Sequence, residues 1–284
     1  MRLGLVLKAL VFAALVLLSG CTVKFAYNNL DRMVRWQVAD YVDLTDEQAA
    51  LLDEELAEFI LWHRTTHLPL YADRAEAMAS GLNETVGEDD MQALYEQAMI
   101  WSEEVEARGM PMVVALLASL TPEQMEALPE AMEKSNVEFA EDEVDLTLSE
   151  AQAEWRNRVS DGLKFFAGRL TREQKRYLAE QSVRYQPEYV LWVEYRRRWQ
   201  AALLKTLEIR GDSAAFDVAF RRLVDERESY WGEAFTSTSR ANEQLGREVL
   251  VGLLARLSDK QTERFQEKLL ALAEDFRELA TEVD

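Results

Sequence analysis

The sequence predicts an all-α protein, an antiparallel helical bundle of about eight helices arranged as two similar four-helix halves. Three observations predict it. Apolar residues recur every three or four positions nearly throughout; Leu51, Leu52, Leu56, Phe59 and Ile60 form one such stripe, and Phe216, Phe220, Leu223 and Val224 another. No convincing alternating run or Asn-Gly hairpin signal breaks the pattern. A short helix-starting sequence occurs four times, as Leu44-Thr45-Asp46-Glu47-Gln48, Leu120-Thr121-Pro122-Glu123-Gln124, Leu170-Thr171-Arg172-Glu173-Gln174 and Leu257-Ser258-Asp259-Lys260-Gln261. Each places a hydroxyl three residues before a Gln, so the hydroxyl can accept from the third helical N–H while the Gln bonds back to the N–H of the cap. Such a cap contributes about 1 kcal/mol.

In chain order, the first helix is expected over about 23–43 and ends before the Thr45 cap. The second, 46–81, carries Pro69, which should interrupt it, and Gly81 near its end. The third, 88–119, closes on Leu116-Leu117-Ala118-Ser119 and runs directly into Leu120; Pro122 then suits the first position of 122–145, where its missing N–H costs nothing. The second half repeats the scheme. A helix over 149–169 ends in Phe166-Ala167-Gly168-Arg169, one over 172–211 is interrupted at Pro187 and ends near Gly211, one over 213–256 ends in Leu254-Ala255-Arg256, and 259–282 closes the chain. Such short joints give tight turns between helices. The motifs lie 76 residues apart in the first pair and 87 in the second, which suggests an internal duplication with halves 21–147 and 148–284.

The first twenty residues have another purpose. Arg2 and Lys8 precede an apolar run, Ala9 to Leu18, too short to remain as a spanning helix, which reads as a secretory signal peptide. Leu18-Ser19-Gly20-Cys21 resembles the lipobox of bacterial lipoproteins. That resemblance implies cleavage before Cys21, a diacylglycerol on its thiol, an acyl chain such as palmitate on its amine, and a durable anchor, since each buried methylene adds roughly 0.8 kcal/mol. Thr22 in place of an Asp implies sorting to the outer membrane rather than the inner, with the body facing the periplasm. Cys21 is the only cysteine, so disulfides and thiolate chemistry are excluded once it is lipidated.

Charge is unevenly spread. The formal net charge is −20, or −22 without Arg2 and Lys8; residues 21–154 hold 7 basic and 30 acidic side chains, and residues 155–284 hold 23 and 22. Nucleic acid and anionic head groups are repelled over most of such a surface. Within the second half, 155–210 has 13 basic and 6 acidic residues and could dock on the acidic half. Its densest segment, Tyr195-Arg196-Arg197-Arg198-Trp199, is followed by Arg221 and Arg222. These guanidiniums are candidate partner-binding groups for an acidic protein or a lipid phosphate. The structural alternative, pairing with first-half carboxylates, is favoured.

Other chemistry is thin. His63 and His67 share a helical face, but neighbours Phe59, Ile60, Leu70 and Tyr71 supply no third ligand, so a partly exposed structural pair is expected and no metal site. Glu103 with Glu106, and Glu54 with Glu58, are carboxylate pairs at a spacing that chance provides. No phosphate loop, nucleophile elbow or zinc-protease helix occurs, so no catalytic residues, no cofactor and no enzyme are expected. Phe25, Tyr27, Leu30, Val34 and Trp36 could rest at a membrane interface, but most are expected to pack into the bundle.

The Leu-Thr-x-x-Gln pattern resembles the repeated motif of the Spy and CpxP group of periplasmic helical chaperones and stress regulators, whose members carry two copies in a chain about half this length. That resemblance implies a cradle that shields unfolded clients. The chain departs from the group in its lipid anchor and its acidic first half. Tyr27-Asn28-Asn29-Leu30-Asp31, Trp36 and Asp40-Tyr41-Val42-Asp43-Leu44-Thr45, close behind the lipobox, resemble a family of gammaproteobacterial lipoproteins of unknown function over the whole chain. The function expected is a non-enzymatic, polypeptide-binding or chaperone-like envelope module. Alternatives are an architectural lipoprotein binding one specific envelope partner, or a lipid or ligand carrier.

Overall fold

The computed structural model describes residues 20–84, 86–143 and 146–282, with side chains at these positions except 20–22 and 142–143. The expected signal segment before residue 20 lies outside them. Helices make up 84% of the described residues and no strand occurs among them, so the protein is all-α. Eleven helices follow one another there: α1 (Gly20–Tyr27), α2 (Leu30–Ala39), α3 (Asp46–Gly81), α4 (Glu88–Ala118), α5 (Pro122–Glu143), α6 (Leu148–Ala167), α7 (Arg172–Ser182), α8 (Tyr189–Leu207), α9 (Ser213–Asp225), α10 (Glu233–Leu254) and α11 (Asp259–Thr281).

Eleven rather than eight arise because three expected helices divide. The first breaks at Asn28 and Asn29 into α1 and α2. The expected 172–211 helix divides around Pro187, where the ring disfavours helical backbone at the preceding residue. Side chains of neighbouring helices take up the freed backbone groups: the Gln152 amide donates to the carbonyls of Val183 and Tyr185, and Asn242 bonds both the N–H and the carbonyl of Gln186. The expected 213–256 helix divides at a 3-10 turn, Arg227–Tyr230, and at Gly232, whose φ of +78° suits glycine.

Pro69 does not interrupt α3, contrary to expectation; the helix runs unbroken for 36 residues. An interior proline costs about 3 kcal/mol. Leu68 and Ala72, on either side of it, are buried against α11, and apolar burial of about 1.5–3 kcal/mol for a single Leu offsets much of that.

Packing crosses the midpoint of the chain. The longest interface is between α3 and α11, while α5 packs on α8, and α4 on α9 and α10. One core, with Leu68, Ala72, Ala75, Ala273, Phe276 and Leu279, seals α3 to α11 and takes Val23 of α1. A second joins Met110, Leu128 and Met132 to Leu203, Phe216 and Phe220. A third holds Leu163, Leu178, Val249, Leu253, Phe265 and Leu269 of α6, α7, α10 and α11.

Candidate functional site

The four repeated motifs meet in two reciprocal pairs. In the first, Thr45 and Thr121 cap α3 and α5: Gln48 N donates to Thr45 Oγ1 at 3.3 Å, Thr45 N donates to Gln48 Oε1 at 3.0 Å, and Thr121 and Gln124 repeat this at 3.3 and 2.9 Å. The two amides then face each other. Gln48 Nε2 donates to Gln124 Oε1 at 2.9 Å and to the Ser119 carbonyl at 2.8 Å; Gln124 Nε2 donates to Gln48 Oε1 at 2.7 Å and to the Asp43 carbonyl at 2.6 Å. Each amide therefore makes all four of its bonds. Each motif also holds the last carbonyl before the other's Leu.

The second pair is built alike. Thr171 and Ser258 cap α7 and α11, Gln174 and Gln261 exchange 3.1 Å bonds, and their other donors reach the carbonyls of Arg256 and Arg169. Gln48, Gln174 and Gln261 are buried, as are Leu120 and Leu170, while Leu44 and Leu257 are half-buried. A fifth box, Thr147 with Glu150, starts α6; its carboxylate is exposed and faces no other motif. The Thr147 hydroxyl and N–H hold the Glu150 carboxyl below the usual carboxylate range.

The densest group of buried titratable side chains surrounds His63 and His67. Their rings stack at 5.3 Å, 8° from parallel, inside a ring of Phe59, Trp62, Tyr71 and Tyr27. The expectation of partial exposure is corrected here: His63 is 8% exposed and His67 not at all. The cause lies outside α3, because α1 and α11 close over that face. Tyr27 Oη lies 2.9 Å from His63 Nδ1 and Tyr71 Oη 3.4 Å from Nε2, a fit to a neutral imidazole with one nitrogen donating and the other accepting. Burial, and secondarily the His67 charge, push His63 down to about 3. Burial also lowers His67, against the opposing pull of Glu104, whose Oε2 lies 3.6 Å from His67 Nε2. Both His67 ring nitrogens lack a hydrogen-bond partner among the described residues. Arg64, 6% exposed, lies over the Tyr27 ring, donates to Asn28 Oδ1 at 3.0 Å and reaches the Glu282 carbonyl. The Tyr-Asn segment is thus the piece of α1 that keys into α3. No cluster of three or more His, Cys, Asp or Glu able to hold a metal occurs among the described residues.

The arginines singled out by sequence are not gathered on one surface. Arg196 is 1% exposed, lies over Phe139 and donates to Ser135 Oγ at 3.2 Å. Arg197 forks onto Glu133 of α5 at 2.6 and 3.1 Å, and Arg198 donates to the carbonyls of Tyr230 and Trp231, holding the 3-10 turn. Arg221 pairs with Asp217 and Arg222 with Glu226, each along its own helix. Of the carboxylate pairs, Glu106 binds Arg227 at 2.9 Å and Glu58 lies 3.7 Å from Arg108, while Glu54 and Glu103 are exposed. Cys21 stands in the first turn of α1, and its side chain lies outside those described.

The sequence reading passed over one surface stripe. On α4, Glu96, Ile100 and Glu103 are exposed at i, i+4 and i+7, with Tyr95 beside them, and Glu88, Asp89 and Asp90 extend the acidity to the start of the helix. The signal was the 3.6-residue period, which tells of a shared face but not of exposure.

A family model described as a family of unknown function, DUF6279, matches residues 40–236, from the Asp40-Tyr41-Val42 segment to the start of α10. No curated protein and no solved structure matches the chain.

Proposed function

We propose, for a chain that belongs to the DUF6279 family of unknown function, the role of a membrane-anchored periplasmic lipoprotein that binds other polypeptides and catalyses no reaction. The observation that carries this reading is the α4 stripe, where exposed carboxylates alternate with Ile100 and no ion pair within the described residues neutralises Glu96 or Glu103. A basic amphipathic segment would match it in charge and in apolar spacing. The titratable side chains best placed for chemistry, His63 and His67, are enclosed, which supports a non-enzymatic role. No described helix is long and apolar enough to cross a membrane. Attachment in this proposal is through acyl chains on Cys21, with the outer membrane as destination from Thr22. The cavity between α2 and the start of α3, lined by Arg35, Val42, Leu44, Leu52 and Asp53, is about 250 Å³, below the roughly 300–1,000 Å³ of ligand sites, and so does not itself support a lipid or ligand carrier.

Within this reading the chain consists of two related halves, 21–147 and 148–284, each closed by one reciprocal glutamine pair. A photo-crosslinking side chain placed at Ile100 in cells tests the binding role. A dominant adduct that disappears when Glu96 and Glu103 are changed to Lys supports a specific basic partner, and many adducts support the chaperone-like form. No adduct from any exposed α4 position overturns the proposal. Suppression of aggregation of an unfolded client by the purified protein distinguishes the two forms further.

A further inference from the structure

We infer that the outward strip of α1 and α2, formed by Phe25, Asn29, Arg32 and Trp36, lies on the lipid surface, so that no tether separates the anchor from the body of the protein. The inference rests on acylation of Cys21, proposed above. Lipid on Cys21 would sit four residues from Phe25, about 6 Å along a helix. That helix is fastened down. Val23 is 3% exposed in the core shared by α3 and α11, Lys24 pairs with Asp275 at 3.2 Å and with Glu278, and Asn28 Nδ2 donates to Glu282 at 3.1 Å while its Oδ1 accepts from Arg64. With this side of α1 held by α11 and α3, the bilayer carrying the acyl chains must lie against the other side.

The other side is built for that position. Phe25 is 67% exposed and Trp36 65%, and α2 has no buried residue. The four strip residues fall at i, i+4, i+7 and i+11, one face of the kinked α1–α2 helix, and bond one to the next. Asn29 Nδ2 donates to the Phe25 carbonyl at 2.7 Å, Arg32 Nη1 to Asn29 Oδ1 at 3.4 Å, and the Arg32 guanidinium lies 5.6 Å from the Trp36 ring centre. Aromatic side chains at the head-group level, with a guanidinium reaching lipid phosphates, are the composition of an interfacial helix. The charge fits as well. Among residues 21–154, which hold 7 basic and 30 acidic side chains, the only charge on this strip is the cation of Arg32.

The full lipidated protein, reconstituted in phosphatidylethanolamine and phosphatidylglycerol vesicles with or without brominated acyl chains, tests the inference through tryptophan emission. Trp36 is exposed, so Trp36→Phe leaves the core intact, and far-UV circular dichroism checks this. Bromolipid quenching in the wild type that is lost in Trp36→Phe is the expected result. Quenching of Trp36 by aqueous iodide instead would place the strip in water, and protection from both quenchers would mean that a second copy or another protein covers it. Either outcome overturns the inference. Mass spectrometry of the mature N-terminus separates it from its premise: no acyl mass on Cys21 sinks the anchoring reading and this inference with it, whereas an acyl mass without Trp36 quenching sinks this inference alone.

Discussion

Replacing Gln174 by Glu keeps the acceptor that holds the Thr171 N–H but removes both donors, which reach Arg256 and Gln261. The new carboxylate would face the Gln261 oxygen, buried and unsatisfied, so Gln174→Glu should cost about 2–4 kcal/mol in chemical denaturation at neutral pH. The deficit should shrink as pH falls, because protonation returns one donor. Glu150→Gln is the control. Its box pairs with nothing, so the change should stay within about 0.5 kcal/mol. At the buried imidazoles the sign runs from their lowered pKa values. Unfolded His63 and His67 bind protons near pH 6.5, whereas folded His63 holds out to about 3, so the unfolded chain binds more protons across that window. The His63 contribution is complete above pH 6.5 and is lost toward pH 3, at up to about 1.4 kcal/mol per pH unit, and the lowered His67 adds in the same direction. Tyr27, Tyr71, Arg64 and Glu104 surround the pair. In a His63→Phe chain the slope of unfolding free energy against pH should be measurably shallower between pH 6 and pH 4. Capping was legible in the sequence because its bonds span three residues. The partner of each Gln was not, because 76 and 87 residues of chain must fold to bring it there.

In α10, two glycines offer a comparison within a single helix. A Cβ at Gly246 meets nothing within 4 Å, whereas one at Gly252 would overlap Oη and Cζ of Tyr177. Gly246→Ala should therefore stabilise by roughly 0.5–1 kcal/mol through helix propensity. Gly252→Ala should destabilise by about 1–3 kcal/mol, because the Tyr177 ring, held between the Glu248 carbonyl and the Arg256 guanidinium, must move. Thermal denaturation of the two variants checks both signs. Helix periods and caps made most elements readable, and the bounds of α3 agree with those expected from Thr45 and Gly81. Proline was ambiguous for a physical reason. Pro69 lies in a helix buried along its flanks by α11, and Pro187 lies where Gln152 and Asn242 supply substitute bonds, and neither neighbour is local in sequence.

Across the whole molecule, the asymmetry of charge is partly settled internally. Arg277 reaches Asp73 and Glu76, Arg227 reaches Glu106 and Arg197 reaches Glu133, each joining the second half to the first. The exposed pairs, those of Arg277 and Arg197, contribute about 0–1 kcal/mol each, so they orient the halves more than they stabilise them, while the Arg227–Glu106 pair is half-buried. The surface proposed to bind a partner, the carboxylates left over on α4, should hold a basic peptide less tightly as ionic strength rises, and affinity measured at low and high salt checks this. The apolar face of α3 has its longest partner in the final helix, α11. A chain ending at residue 258 should accordingly lose cooperative unfolding, seen as a broad, shallow melt, since two of the three cores lose residues from 265 onward. That arrangement has a consequence in time. Synthesis delivers α3 about two hundred residues before α11, so a chain that has not yet reached residue 265 keeps a long greasy helix without its cover. Until those residues emerge, the bare side of α3 stays open to contact with other chains, even though the core around Phe216 and Phe220 can already close.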